Sequence, residues 1–342
     1  MNNNQSINSK KYEICTILRN MQKFKVKSLK FQNEITADPD KNDMYRDNIV
    51  NILCLKDKRI GITTGSNIIL FNQHNFTIDM IIPIKALYIF QYLKDGNIIV
   101  STIDNKFVIL NIKKNKYNIL QEFDNKTFNR PKKILELTNN QILSMSASPF
   151  LAFFIKKDNK YSSFKTLDLG YGRPEDAKSI LEIPGNRIVV FSYKKRAMLV
   201  YDINTHKLLL NKYVSYNIND IMSDLIDNKY IFVRTEEGMA VFNVEENFSE
   251  TVYKNLPSPN VILKMNIYEY LFFCDEEKKI YLMKFQDKKL IIKHQTTLNI
   301  AGKFSFEKRV HKIDEKKFVF NITKLDNNNY IIGHLLAICQ EI

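Results

Sequence analysis

The chain has 342 residues, a formal net charge of +14, 44% hydrophobic residues and 12% aromatic residues. That apolar share excludes a chain kept unfolded for want of a core, and the length suits one large all-β domain or two ordinary ones. Cys15, Cys54, Cys274 and Cys339 form no CxxC pair, the N-terminal MNNNQSINSKK has no apolar leader core, and no apolar run approaches the roughly 18–20 residues of a spanning helix. These features predict a soluble, reduced, intracellular protein, cytoplasmic or nuclear.

Residues 1–10 are predicted to be a disordered tail. Tyr12–Leu18 and Phe24–Phe31 are two strand-like runs, the second alternating Phe24, Val26, Leu29 and Phe31 with Lys25, Lys27 and Lys30. After a polar loop over Glu34–Asp47, short β-branched and aromatic runs follow one another, separated by Asn, Asp and Lys. The clearest stretch is Arg187–Val214, RIVVFSYKKRAMLVYDINTHKLLLNKYV. It predicts three strands, Arg187–Ser192, Ala197–Ile203 and Leu208–Val214, joined by turns at Tyr193–Arg196 and Asn204–Lys207. The pair Asp95-Gly96 marks another hairpin.

The same cadence recurs. Second strands begin near Arg59, Asn97, Gln141, Arg187, Lys229, Tyr270 and Lys317, roughly 38–47 residues apart, a period that suits a four-stranded β-propeller blade. Runs such as Ile98–Val100 and Ile188–Phe191 are apolar at consecutive positions, as expected of sheets covered on both faces. The fold class is therefore all-β: a single propeller over 11–342, with repeats over about 48–338. Seven four-stranded blades are predicted, the last one strand short and closed by an N-terminal strand within about 11–31.

Leu199-Val200-Tyr201-Asp202-Ile203-Asn204-Thr205 resembles the strand that ends in Trp-Asp in the WD40-repeat family, with Tyr201 in the Trp place. Val108–Ile112 and Ala240–Val244 carry the same cadence with Leu-Asn and Phe-Asn. The chain thus resembles a divergent WD40-like β-propeller, which implies a non-enzymatic scaffold for other proteins. It contains no Trp, and no Gly-His pair precedes the first strands.

Catalytic chemistry finds little support. His74, His206, His294, His311 and His334 lie in different repeats without metal-ligand spacing, and no P-loop, GxGxxG or GxSxG occurs. No cofactor or metal is expected. Asp104, Glu236, Glu237, Asp275 and Glu276 fall near turns, where carboxylates are mostly solvated. The candidate site is instead a basic, Tyr-containing surface for a partner. Arg130 and Lys132 sit in one predicted inter-blade loop and Tyr171 and Arg173 in the next. Tyr193, Lys194, Lys195 and Arg196 form a second-to-third-strand turn on the same face. Tyr and Arg are favoured at interface centres, so the partner is another protein, acidic or phosphorylated. Lys113, Lys114, Lys116, Lys156, Lys157, Lys288 and Lys289 make the opposite face basic in places. The second reading is nucleic-acid or ribonucleoprotein binding through a basic face. A propeller hydrolase or lactonase is a third. The bland alternative is a Lys excess spread over solvated loops.

Overall fold

The computed structural model describes residues 12–13, 51–72, 77–114, 116–124, 131–146, 150–169, 177–192, 196–221, 228–236, 238–265, 268–274, 277–297, 303–314, 317–325 and 331–341. All regular structure among them is β-strand, and no helix among them is long and apolar enough to cross a membrane. The chain opens with β1 (Tyr12–Glu13). The first sheet holds β2 (Asn51–Cys54), β3 (Arg59–Thr63), β4 (Ile68–Asn72) and β5 (Ile78–Ile82). The second holds β6 (Ala86–Tyr92), β7 (Ile98–Thr102), β8 (Lys106–Lys113) and β9 (Lys116–Asp124). The third holds β10 (Pro131–Glu136), β11 (Ile142–Ser146), β12 (Phe150–Lys157) and β13 (Lys160–Asp168).

The fourth sheet holds β14 (Ala177–Ile183), β15 (Arg187–Ser192), β16 (Ala197–Asp202) and β17 (Leu208–Tyr213). The fifth holds β18 (Ile218–Ile221), β19 (Tyr230–Thr235), β20 (Gly238–Asn243) and β21 (Ser249–Tyr253). The sixth holds β22 (Val261–Lys264), β23 (Glu269–Cys274), β24 (Lys279–Gln286) and β25 (Lys289–Thr297). Each of these six is an antiparallel meander of four consecutive strands. A further sheet has the order β1-β28-β27-β26, from β26 (Lys303–Asp314), β27 (Lys317–Leu325) and β28 (Ile331–Glu341). In it Tyr12 pairs with Glu341 and Glu13 with Gln340. The predicted strand over Phe24–Phe31 lies outside the described residues.

The chain packs as two compact units. One, Ile49–Ser258, contains the first five sheets; the other joins Met1–Asn48 to Pro259–Ile342. In the first unit the first strands of successive sheets, β2, β6, β10, β14 and β18, neighbour one another in order. In the other, β22 neighbours β26.

The core of the first unit lies between successive sheets. Leu53, Leu70 and Ile82 meet Phe90, Val100 and Leu110 between the first and second. Phe107 and Ile109 meet Ile134, Ile142 and Phe154 between the second and third. Leu143, Phe153 and Leu169 meet Ile188, Val190 and Tyr201 between the third and fourth. Phe191, Met198 and Val200 meet Ile231, Ala240 and Phe242 between the fourth and fifth. The middle strands contribute to the clusters on both sides of their sheet, which is why they are apolar at consecutive positions. Burying one such side chain contributes about 1.5–3 kcal/mol.

The first turns of the first five meanders each carry one left-handed residue, and hydrogen bonds close the first three. Leu55, Leu93 and Leu137 donate their N–H to the carbonyls of Arg59, Asn97 and Gln141 at 2.7–2.8 Å. One or two residues before the second strand stands Lys58, Gly96, Asn140, Asn186 or Asn228, each at positive φ. Asn tolerates that region through local hydrogen bonding, so a chain poor in Gly still turns tightly.

One expectation needs correction. Lys132, expected in an inter-blade loop, lies with Pro131 and Lys133 in β10, with a bulge between Pro131 and Lys133. Pro131 can open the strand because the first residue need not donate to the ladder.

Candidate protein-binding surface

Of the predicted surface residues, Arg130, Tyr171, Arg173, Tyr193, Lys194 and Lys195 lie outside the described residues, and Lys132 is described only as backbone of β10. Arg196 is described, exposed and at φ 47. Its Nε donates to Asn217 Oδ1 at 2.8 Å and its Nη1 to the Ser215 carbonyl at 3.5 Å, while Val214 N–H donates to its carbonyl. Asn217 in turn donates to Glu236 Oε1 at 2.6 Å. Arg196 therefore ties its own hairpin to the segment entering the fifth sheet. Its cation is positioned by neutral acceptors and keeps its charge at the surface.

The Asp of the Tyr-Asp strand end acts on its own turn. Asp202 Oδ1 accepts from Asn204 N–H at 3.0 Å and from the N–H and hydroxyl of Thr205 at 2.6 and 2.9 Å. The Thr205 bonds stabilise the charged form and lower its pKa. Asn243 repeats part of this at the equivalent place, accepting from Glu245 N–H at 3.1 Å. Tyr201 is buried between the third and fourth sheets.

The opposite ends of the sheets carry a contact that the sequence reading missed. Lys56 N–H donates to Tyr92 Oη at 2.8 Å. Lys94 N–H donates to Glu136 Oε2, and Thr138 N–H and Oγ1 donate to Glu182 Oε1 at 2.9 and 2.6 Å. In every case the first residue of one sheet's opening turn is held by a side chain near the end of the next sheet's first strand. The next such turn begins with Pro184, which has no N–H to offer. Aligning the turns would have revealed it: Tyr92-Leu93, Glu136-Leu137 and Glu182-Ile183 occupy one register place.

Charges on this side are partly paired. Asp57 binds Arg59, whose Nη1 and Nη2 donate to the carbonyls of Lys114 and Lys113 at 3.2 and 3.0 Å. Lys156 binds Asp95 at 3.0 Å. Burial works against the Asp95 carboxylate, but hydrogen bonds from Asn97 and Lys156 outweigh it and hold its pKa below the ordinary value. Burial, with Glu136 and Asp95 nearby, pushes the Tyr161 phenol upward. Burial also pushes the Cys54 thiol up to about 12, which makes it an unreactive thiol at neutral pH.

Among the described residues no cluster of three or more His, Cys, Asp or Glu side chains stands where it could hold a metal ion. His206 sits edge-on to Phe153 at 4.7 Å, with its buried Nε2 lacking a hydrogen-bond partner. Burial and the charge of Lys165 lower its pKa. His294 lies on β25, in the other unit.

No family model matches the chain, and no curated protein matches it by sequence. Solved structures do match its fold. Virginiamycin B lyase from Staphylococcus aureus, a catalytically inactive variant with quinupristin, aligns at a TM-score of 0.63 and 13% identity, over 88% of this chain and 97% of that one. Sqt1 from Saccharomyces cerevisiae aligns at 0.57 and 10% identity, over 86% of each chain. BamB from Moraxella catarrhalis aligns at 0.54 and 11% identity, over 85% of each. At such identities the likeness concerns the fold. That fold is an all-β propeller.

Proposed function

We propose that this propeller is a non-enzymatic scaffold that binds other proteins within a larger assembly. One observation carries the reading: the fourth strands of the sheets expose large apolar side chains. Ile119, Leu120, Phe164, Leu208, Leu209 and Tyr213 are 47–69% accessible. Apolar surface concentrated on one class of strand is the mark of a protein contact. The basic turn at Tyr193–Arg196, with Arg130, Lys132, Tyr171 and Arg173, is proposed as a second contact, for an acidic or phosphorylated segment. An intracellular assembly is part of this proposal, in keeping with Cys54 and Cys274, which are free cysteines among the described residues.

We further infer seven blades, the last completed by β1. Support comes from the sheet order β1-β28-β27-β26 and from the even cadence of the second strands. Removing residues 1–31 is expected to lower the thermal midpoint clearly, and an unchanged midpoint would overturn the closure.

The scaffold reading is tested by affinity purification of the full chain from its own cells, under salt high enough to strip ionic contacts. Partners recovered in fixed proportion support it, and recovery of the bare chain would sink it. Changing Arg173, Lys194, Lys195 and Arg196 together to Glu is expected to release the partner held by the basic turn. The net charge of +14 favours nucleic acid as a second reading. That reading predicts retention on a phosphate-bearing column that falls steeply with salt, and retention lost at low salt removes it.

A further inference from the structure

Five of the six meanders carry a β-bulge at one place in the fourth strand, where it pairs with the middle of the third. The extra residue is Asp79 in β5, Leu120 in β9, Phe164 in β13, Leu209 in β17 and Lys293 in β25. The register of β21 runs without a shift. A bulge residue has no place in the ladder and is not drawn into the core, so its side chain is chosen by the surface. The first and sixth sheets carry a charged residue there. The second, third and fourth, consecutive in one compact unit, carry large apolar ones that are 50%, 52% and 55% accessible. Ile119 and Leu208, next to two of them, are 47% and 49% accessible.

These positions are joined across the sheets. Beside Leu120, the Gln121 side chain donates to the Tyr161 carbonyl at 2.6 Å and accepts its N–H at 2.7 Å, which ties β9 to the start of β13. The Phe164 ring lies 6.2 Å from the His206 ring, in the turn that leads into Leu208 and Leu209. The three apolar residues thus stand at one register place on consecutive fourth strands, as an apolar band.

Charge differs along the two sides of that band. At the third-to-fourth-strand turns stand exposed Lys113, Lys114 and Lys116, then Lys157 and Lys160 with Asp158 between them, then Lys207, a row with a net positive charge. At the far ends of β9 and β13 stand exposed Glu122, Asp124 and Asp168, with Glu122 facing Lys106 at 3.9 Å.

Resting on the scaffold reading, we propose that the band across β9, β13 and β17 is a docking site for an amphipathic helix of another protein. The helix has leucine-like anchors along one stripe and carboxylates along the flank that faces the lysine turns. A strand added to one edge would cover one sheet, and the bulge breaks the free edge at its middle. A helix can lie across several edges and place side chains at i, i+3, i+4 and i+7 on one line. The carboxylates complement the lysine row and fix which way the helix faces.

The test uses the full chain and a synthetic helical peptide of about 18 residues, with leucines on one face and glutamates along one flank. Binding is followed by fluorescence anisotropy at two salt concentrations. The peptide is expected to bind, and Leu120→Glu, Phe164→Glu and Leu209→Glu combined are expected to weaken it by about tenfold or more. Lys157→Glu, Lys160→Glu and Lys207→Glu combined are expected to weaken it by about three- to tenfold and to flatten its salt dependence. The same peptide with lysines in place of glutamates should bind less well. Circular dichroism of each variant checks that the sheets are intact.

The proposal is overturned by any of four results: no binding, equal binding to the triple apolar variant, equal binding of the lysine-flanked peptide, or a band occupied by a second copy of this chain in sedimentation. The scaffold reading fails separately. If wild type and triple variant recover the same cellular partners, the scaffold stands and the band is refuted. If neither recovers a partner, the scaffold fails and the peptide result alone decides the band.

Discussion

In the fourth sheet, β15 and β16 bury all but their end residues, whereas β17, hydrogen-bonded to β16 along its length, exposes Leu208, Leu209 and Tyr213. β15 and β16, the second and third strands, face a neighbouring sheet on both sides, so nearly every position is under packing constraint. The fourth strand keeps its backbone bonded but has lost neighbours on its outer edge. Its apolar residues therefore answer to something other than the core. The comparison teaches that in this fold a leucine is evidence of stability on one strand and of recognition on another. Strand order decides which.

The contrast can be broken hardest from the inside. Phe191→Ala empties a site between the fourth and fifth sheets, where its ring lies 5.9 Å from Phe242. It is expected to cost about 3–5 kcal/mol, read from the midpoint of urea unfolding. Gly238→Ala is next. A Cβ there would lie 2.3 Å from the Tyr253 carbonyl, at φ +140, and the expected loss is about 2–3 kcal/mol. A midpoint within error of wild type would mean that β20 and β21 separate readily.

Glu182→Ala removes the acceptor for Thr138 N–H and Oγ1 at a half-buried site, and about 1 kcal/mol of stability should be lost with it. The equivalent step at Pro184 has no donor, so a variant of its partner position should cost less. Comparing the two measures what the hydrogen bond between sheets contributes.

The smallest effect is on pH. The folded pKa of His206 lies below its ordinary value, because of burial first and then Lys165, with Asp202 opposing. The unfolded chain thus binds the proton more readily, and stability falls as pH drops through the ordinary histidine range toward the lower folded value. His206→Gln should flatten that part of the profile. Asp95 is also depressed and loses its contribution only at more acidic pH, as pH falls through its folded value, so the two windows separate.

Much of the fold was legible in the residue order. Consecutive apolar positions at Ile98–Val100 and Ile188–Phe191 meant cover on both faces, and those residues are buried. Asp95-Gly96 gave its hairpin, with Gly96 at φ +85. The candidate surface was legible only in part. Arg196 could be placed on a turn, but its bonds to Asn217 and Ser215 join segments that strand patterns do not relate. Lys132 was misplaced because a proline usually ends a strand prediction, while here it opens a bulged one.

The sequence by itself determined the strands, their turns and their repeat, because each is a local choice set by side-chain shape, backbone preference and two-residue periodicity. Only the tertiary structure decided that Leu120, Phe164 and Leu209 share one place. A bulge sets two residues of one strand against one of its partner, so its position is fixed only when the strands are paired. The tertiary structure also decided which side chain holds the turn of the neighbouring sheet, since that bond joins residues about forty positions apart.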